Sequence, residues 1–155
     1  MKLLRSIAAV VMGVILGGSV NMALVVLGPL VVPPPPGVDF SNPQSLAAGI
    51  HLLQPVHFLF PFLAHAVGTL AGAMVACLIA SHGRTRVANA VGVIFAVGGI
   101  AAARMIPAPA WFVVADLGLA YFPMAWAGAQ LGLRLRQPIN PVDSATGGRP
   151  AAPAS

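Results

Sequence analysis

The sequence predicts an all-α membrane protein, a four-transmembrane-helix bundle with a short interfacial helix on its outer side. Three observations carry this. Only 7% of the 155 residues are charged and 58% are hydrophobic, whereas a domain wetted on all sides carries about 25% charged residues. Four apolar runs reach the ~20 residues that a helix needs to cross ~30 Å of hydrocarbon. Runs this long exceed the ~4–8 residues of a buried strand, and unpaired backbone cannot face lipid, which leaves helices.

The first run covers about residues 6–32. Lys2 and Arg5 precede it as the basic region of a signal peptide would. The apolar stretch outlasts a ~7–15-residue signal core and ends at no small-residue cleavage site, so it is expected to be a span. It stops at Pro33, Pro34, Pro35 and Pro36. Proline lacks the N–H that a helix needs and clashes with the preceding turn. Four in a row favour polyproline II, a stiff spacer of about 12 Å at ~3.1 Å per residue.

After the spacer, Asn42 is suited to cap a helix and Pro43 to begin it. Leu46, Ile50 and Leu53 follow at i, i+4 and i+7, the pattern of an amphipathic helix lying on the outer surface. The remaining spans are expected at about residues 55–80, 87–106 and 110–133, with a tight Pro-Ala-Pro turn at Pro107 and Pro109 between the last two. From Gln137 onward the chain is rich in Pro, Ala and Gly. The expected division is therefore a membrane domain, 1–136, and a flexible cytoplasmic tail, 137–155.

Basic residues set the orientation. Lys2 and Arg5 precede span one, Arg84 and Arg86 separate spans two and three, and Arg134, Arg136 and Arg149 follow span four. Only Arg104 falls on the other side. The positive-inside rule then places both termini of a multi-pass protein in the cytoplasm. The net charge of +5 does not argue for nucleic acid, because the bases occur singly and in pairs rather than along one face. Cys77 is the only cysteine, so no intrachain disulfide forms.

The strings PPPPGVDFSNPQSLAAGI, HFLFPFLAHAVGTLAGAMVACLIA and GGIAAARMIPAPAWFVVADLGLAYFPMAWAGAQL resemble a group of small bacterial four-span integral membrane proteins. The similarity covers about residues 10–133. It implies the same four-span architecture in a bacterial inner (plasma) membrane and brings no catalytic residues with it.

Helix packing is legible in the small residues. Lipid offers helices no hydrophobic drive to associate, so they meet where small residues let backbones approach. Gly13 and Gly17 form such a ridge in span one, Gly68 and Gly72 in span two, Gly92 with Ala88 and Ala96 in span three, and Gly128 and Gly132 in span four. These ridges suit a bundle, and one left over would suit a homodimer or a place in a larger membrane complex.

Polar groups inside hydrocarbon are expensive and rarely face lipid. Asn21, His65, Thr69, Arg104 and Asp116 all fall within the expected spans, and all but Thr69 count into the outer half. They are expected to form one polar cluster, with Arg104 and Asp116 paired across the hairpin of spans three and four. Pro61 and Pro123 would each free a carbonyl within a span, that of His57 and that of Leu119.

A metal or haem site built from His51, His57 and His65 is disfavoured by spacing, since His57 and His65 lie about 12 Å apart along one helix. The i, i+4 histidine pair of a helical zinc site is absent, as are the nucleophile-elbow and phosphate-loop signatures. The chain is therefore expected to hold no cofactor and to be no enzyme. The leading expectation is a structural or accessory membrane protein whose polar cluster locks the packing. The alternative is a small transporter or proton-linked channel in which His65 and Asp116 titrate. A small membrane enzyme using that pair as acid and base has the least support.

Overall fold

The structure, a computed structural model, describes residues 2–136; the expected tail lies outside them. Helix α1 runs Lys2–Val31, α2 Pro43–Gly49, α3 Leu59–Ile79, α4 Arg84–Met105, α5 Ala110–Leu119 and α6 Phe122–Leu135, with no strand among the described residues. Short 3-10 turns at Ile50–Leu52 and Pro55–Phe58 lead from α2 into α3. Among the described residues, four stretches are long and apolar enough to cross a membrane: Lys2–Val31, Pro55–Ile79, Arg84–Met105 and Ala110–Leu135.

Helix α3 is the hub. It buries Ala64, Ala66, Gly68, Thr69, Gly72, Ala73, Ala76 and Cys77, so nearly every side chain it turns inward is small. Helix α1 packs against one face of it. A Cβ on Gly13 would lie 2.6 Å from the Gly72 carbonyl, and one on Gly17 would lie 2.5 Å from the Gly68 carbonyl. Backbones this close require glycine on both helices. On the other face, Gly128 of α6 sits against the Leu70 carbonyl and Gly132 against Cys77. Gly92 brings α4 onto Ala125 of α6, and Val91 fills the space between α1, α3 and α4. Each of the seven ridge glycines thus faces another helix of the same chain. By contrast, α1 exposes Leu4, Ile7, Met12, Ile15, Val26 and Leu30 along its outer face, the distribution a lipid-facing helix needs.

The two ends differ. At one, the carbonyls that close α3 are met by three arginines. Arg5 Nε donates to the Ile79 carbonyl at 3.1 Å, while Arg84 Nε and Arg136 Nη1 each donate to the Ala80 carbonyl at 3.2 Å. Unsatisfied C-terminal carbonyls and the negative end of the helix dipole both favour cations there. Gly83 makes the tight turn into α4 at φ +56°, a left-handed conformation that glycine takes without steric penalty.

The other end is closed by prolines and aromatic rings. Helix α1 ends at Val31, and the chain turns at Gly37 with φ +84°. Asn42 caps α2, its side-chain oxygen accepting from the N–H groups of Gln44 at 2.9 Å and Ser45 at 3.1 Å. Asp39 braces the loop by accepting from the N–H and the hydroxyl of Ser41 at 2.8 and 2.6 Å, which holds its carboxyl below the usual range. Phe58 packs on Phe112 at a ring separation of 4.9 Å and on Trp111 at 5.5 Å, tying the start of α3 to the start of α5.

Two expectations change at this level. The fourth span is two helices, interrupted at Ala120 and Tyr121. Pro123 has no N–H to offer the Leu119 carbonyl, so the ladder breaks there and restarts at Phe122. Pro61 produces no comparable break, because it falls in the first turn of α3, where its N–H would be unbonded in any case.

Candidate functional site

Between α1, α3, α4 and α5, at the proline end, lies a cavity of about 540 Å³. Its walls are apolar, including Val25 and Val32 of α1, Phe60 of α3 and Ile106 of α4. Its width comes from Gly99, Ala102 and Ala103 on α4, which project little or nothing where α4 would otherwise fill the space. Leu46, Ile50 and Leu53, the apolar stripe read from the sequence, line it as well, so the segment after the prolines covers the cavity. Pro29 inside α1 removes the hydrogen bond that the Val25 carbonyl would accept, leaving a backbone acceptor on a residue that lines the chamber.

His65 and Asp116 are the polar residues of the lining furthest from the proline end. Each is the seventh residue of its helix, about 9–10 Å below the helix start. His65 Nδ1 lies 2.9 Å from both carboxylate oxygens of Asp116. Tyr121 donates its hydroxyl to Asp116 Oδ2 at 3.0 Å. Asp116 is 4% exposed and Tyr121 1%, while the His65 side chain keeps 23% of its surface open. The Tyr121 ring lies 5.6 Å from the His65 ring, tilted by 33°. The Tyr121 hydroxyl occupies the space where Gly99 would carry a Cβ, so α4 must have glycine at this level.

This constellation assigns roles. With Asp116 ionised its carboxylate only accepts, and the His65 nitrogen facing it then carries the proton. Nε2 of the neutral ring is then a bare acceptor.

The expected five-membered cluster is not assembled as such. His65 and Asp116 meet. Thr69, one turn below His65, is fully buried and its hydroxyl has no partner. Asn21 packs beside Gly68 and makes no hydrogen bond to His65 or Asp116 among the described residues. The Arg104–Asp116 pair is not formed. Arg104 is exposed, one residue before the end of α4, where a long side chain reaches water more cheaply than it reaches down to Asp116. His57 accepts the N–H of Gln54 at Nδ1, 3.0 Å away, within its own turn, and His51 is exposed, so neither joins His65.

Tyr121 is the partner the spacing hides. On an unbroken helix, i+5 lies about 140° around from Asp116. The interruption at Ala120 and Tyr121 folds that angle away. No family model matches the chain, and neither a curated protein nor a solved structure is detectably similar to it.

Proposed function

We propose that this chain is a small multi-pass protein of a bacterial inner membrane that binds an apolar guest in its outer half, with His65 as the proton-accepting contact for the guest's polar end. In this reading the long helices form a four-helix bundle, both termini are cytoplasmic, and α2 lies at the outer interface as a lid. It belongs to the group of four-span proteins that it resembles. The observation that carries the proposal is the apolar chamber with the His65–Asp116 pair at its inner end. Ligand sites are concave and mostly apolar, with a few convergent polar groups that fix orientation. A buried ionisable pair inside a membrane protein marks a substrate or proton path by default.

The chemistry selects a guest with one hydrogen-bond donor, such as a hydroxyl or a weak acid, on an otherwise apolar body. Donation to Nε2 would be completed by proton transfer to give an imidazolium held against Asp116. Movement of such a guest or its proton across the membrane would make the protein a small transporter.

A second reading rests on the full pairing of Asp116, which ties α3 to α5 and to Tyr121. There the cluster locks the packing and the chamber has no occupant. Binding of 2-naphthol and of naphthalene to the purified protein, followed by fluorescence, separates the two. The proposal expects naphthol to bind about 2–10-fold more tightly, the worth of one hydrogen bond. It expects both dyes to be lost in Ala103→Phe, which fills the chamber. If that variant melts as the parent does and neither protein binds either dye, the structural lock stands instead.

A further inference from the structure

The arginine end holds a second hollow, apart from the chamber. Lys2, Leu4, Arg5 and Ala8 of α1 form a hollow with Ser81, which follows α3. Arg5 uses Nε on the Ile79 carbonyl, which fixes the guanidinium at the hollow and leaves its other N–H groups to donate. The ammonium of Lys2 and the hydroxyl of Ser81 engage no protein group among the described residues.

Six bases gather at this end: Lys2, Arg5, Arg84, Arg86, Arg134 and Arg136. Of the acids, Asp39 lies at the opposite end and Asp116 is buried within the protein; Asp143 falls outside the described residues. No described carboxylate neutralises the cluster. Below the hollow, Leu4, Ala8, Met12 and Ile15 are exposed on one stripe of α1, which runs about 16 Å toward the middle of the span.

We infer that this hollow and stripe bind an anionic phospholipid, with its phosphate on Lys2, Arg5 and Ser81 and one acyl chain along Leu4, Ala8, Met12 and Ile15. A cationic pocket that opens directly onto an apolar helix face fits a charged headgroup carrying a chain. A soluble anion would leave the stripe unused.

The test is native mass spectrometry of the detergent-solubilised protein, titrated with phosphatidylglycerol and with phosphatidylcholine of the same chains. Phosphatidylglycerol should be retained preferentially. Lys2→Gln combined with Arg5→Gln should weaken its retention on the order of 10–30-fold, near the contribution of two basic residues beside anionic lipid. Arg134→Gln should change it little. Because Arg5 also supports α3, Lys2→Gln alone is the second variant, and it should lose part of the preference with its melting temperature unchanged. Equal retention of the two lipids would overturn the inference, as would unchanged retention in the double variant. Displacement of phosphatidylglycerol by inorganic phosphate at low millimolar concentration would also overturn it, since the site would then be one for a soluble anion.

Discussion

Replacing Gly72 by alanine sets two effects of known sign against each other. Alanine is the better helix former by about 1 kcal/mol, so propensity alone would stabilise α3. A Cβ at this position would lie 2.6 Å from the Gly13 carbonyl oxygen, 3.2 Å from Val91 Cγ1 and 3.3 Å from Gly17 Cα. Packed C–H···O contacts settle at about 3.3–3.6 Å, so α1 must retreat by roughly 0.7–1.0 Å. A gap of that size forfeits about a quarter to a half of the dispersion energy of each atom pair across it. Overpacking of this kind costs about 1–3 kcal/mol, which leaves a net loss of about 0–2 kcal/mol after the gain in propensity.

Gly18 supplies the control, because its added Cβ would meet nothing within 4 Å. Gly18→Ala should keep the propensity gain of about 1 kcal/mol. The two variants should therefore differ by about 1–3 kcal/mol, or about 2–12 °C in melting temperature for a chain of this length. Thermal unfolding in one detergent, followed by circular dichroism, reads this directly. If Gly72→Ala melts at or above Gly18→Ala, α1 and α3 do not meet at these glycines.

In a double-mutant cycle, Asp116→Asn with His65→Gln should show a coupling of about 0.5–1.7 kcal/mol. Asp116→Asn with Arg104→Gln should be additive, and coupling there would restore the arginine pair that the geometry does not form. Tyr121→Phe removes the donor to Asp116 and should lower stability by about 0.6–1.7 kcal/mol in the same melts; an unchanged melt would show that the hydroxyl bond carries no weight. A cysteine introduced at Asp39 should react with an impermeant thiol reagent on intact cells and one at Thr85 should not, and the reverse would invert the proposed orientation. Asp39 has a depressed folded-state pKa, so its contribution to the loop is complete above the unfolded value of about 3.9 and is lost as pH falls through the folded one. Ser41→Ala should raise the NMR titration midpoint of the Asp39 carboxyl, and an unmoved midpoint would refute the Ser41 brace.

The helices were legible because their signals are local. Composition and run length reveal Lys2–Val31 and Arg84–Met105 without any tertiary information, and the Asn42 cap follows from the side chain's reach to the next turn. The small-residue ridges were legible for a related reason: only glycine permits contacts such as Gly13 on Gly72. The site was legible only in part. His65 and Asp116 stand out as costly groups within spans, but choosing the partner of Asp116 requires knowing where α5 ends. Arg104 offered the formal charge, and Tyr121 offered a donor already at hand once Pro123 had broken the helix. The chamber had no signature of its own, since it arises from the absence of side chains at Gly99, Ala102 and Ala103.

That break makes α5 a separate mechanical part. Its ten residues span about 15 Å, half the hydrocarbon thickness. Near the break the ladder is carried by Ala120 N–H on Asp116 and Ala125 N–H on Tyr121, and Pro123 can add no rung between them. Helix α5 is thus set at its own angle, while α6 is seated on α3 through Gly128 and Gly132. Because α5 carries Asp116 and one wall of the chamber, the angle it takes at the break sets both the room beside His65 and the reach of His65 to Asp116.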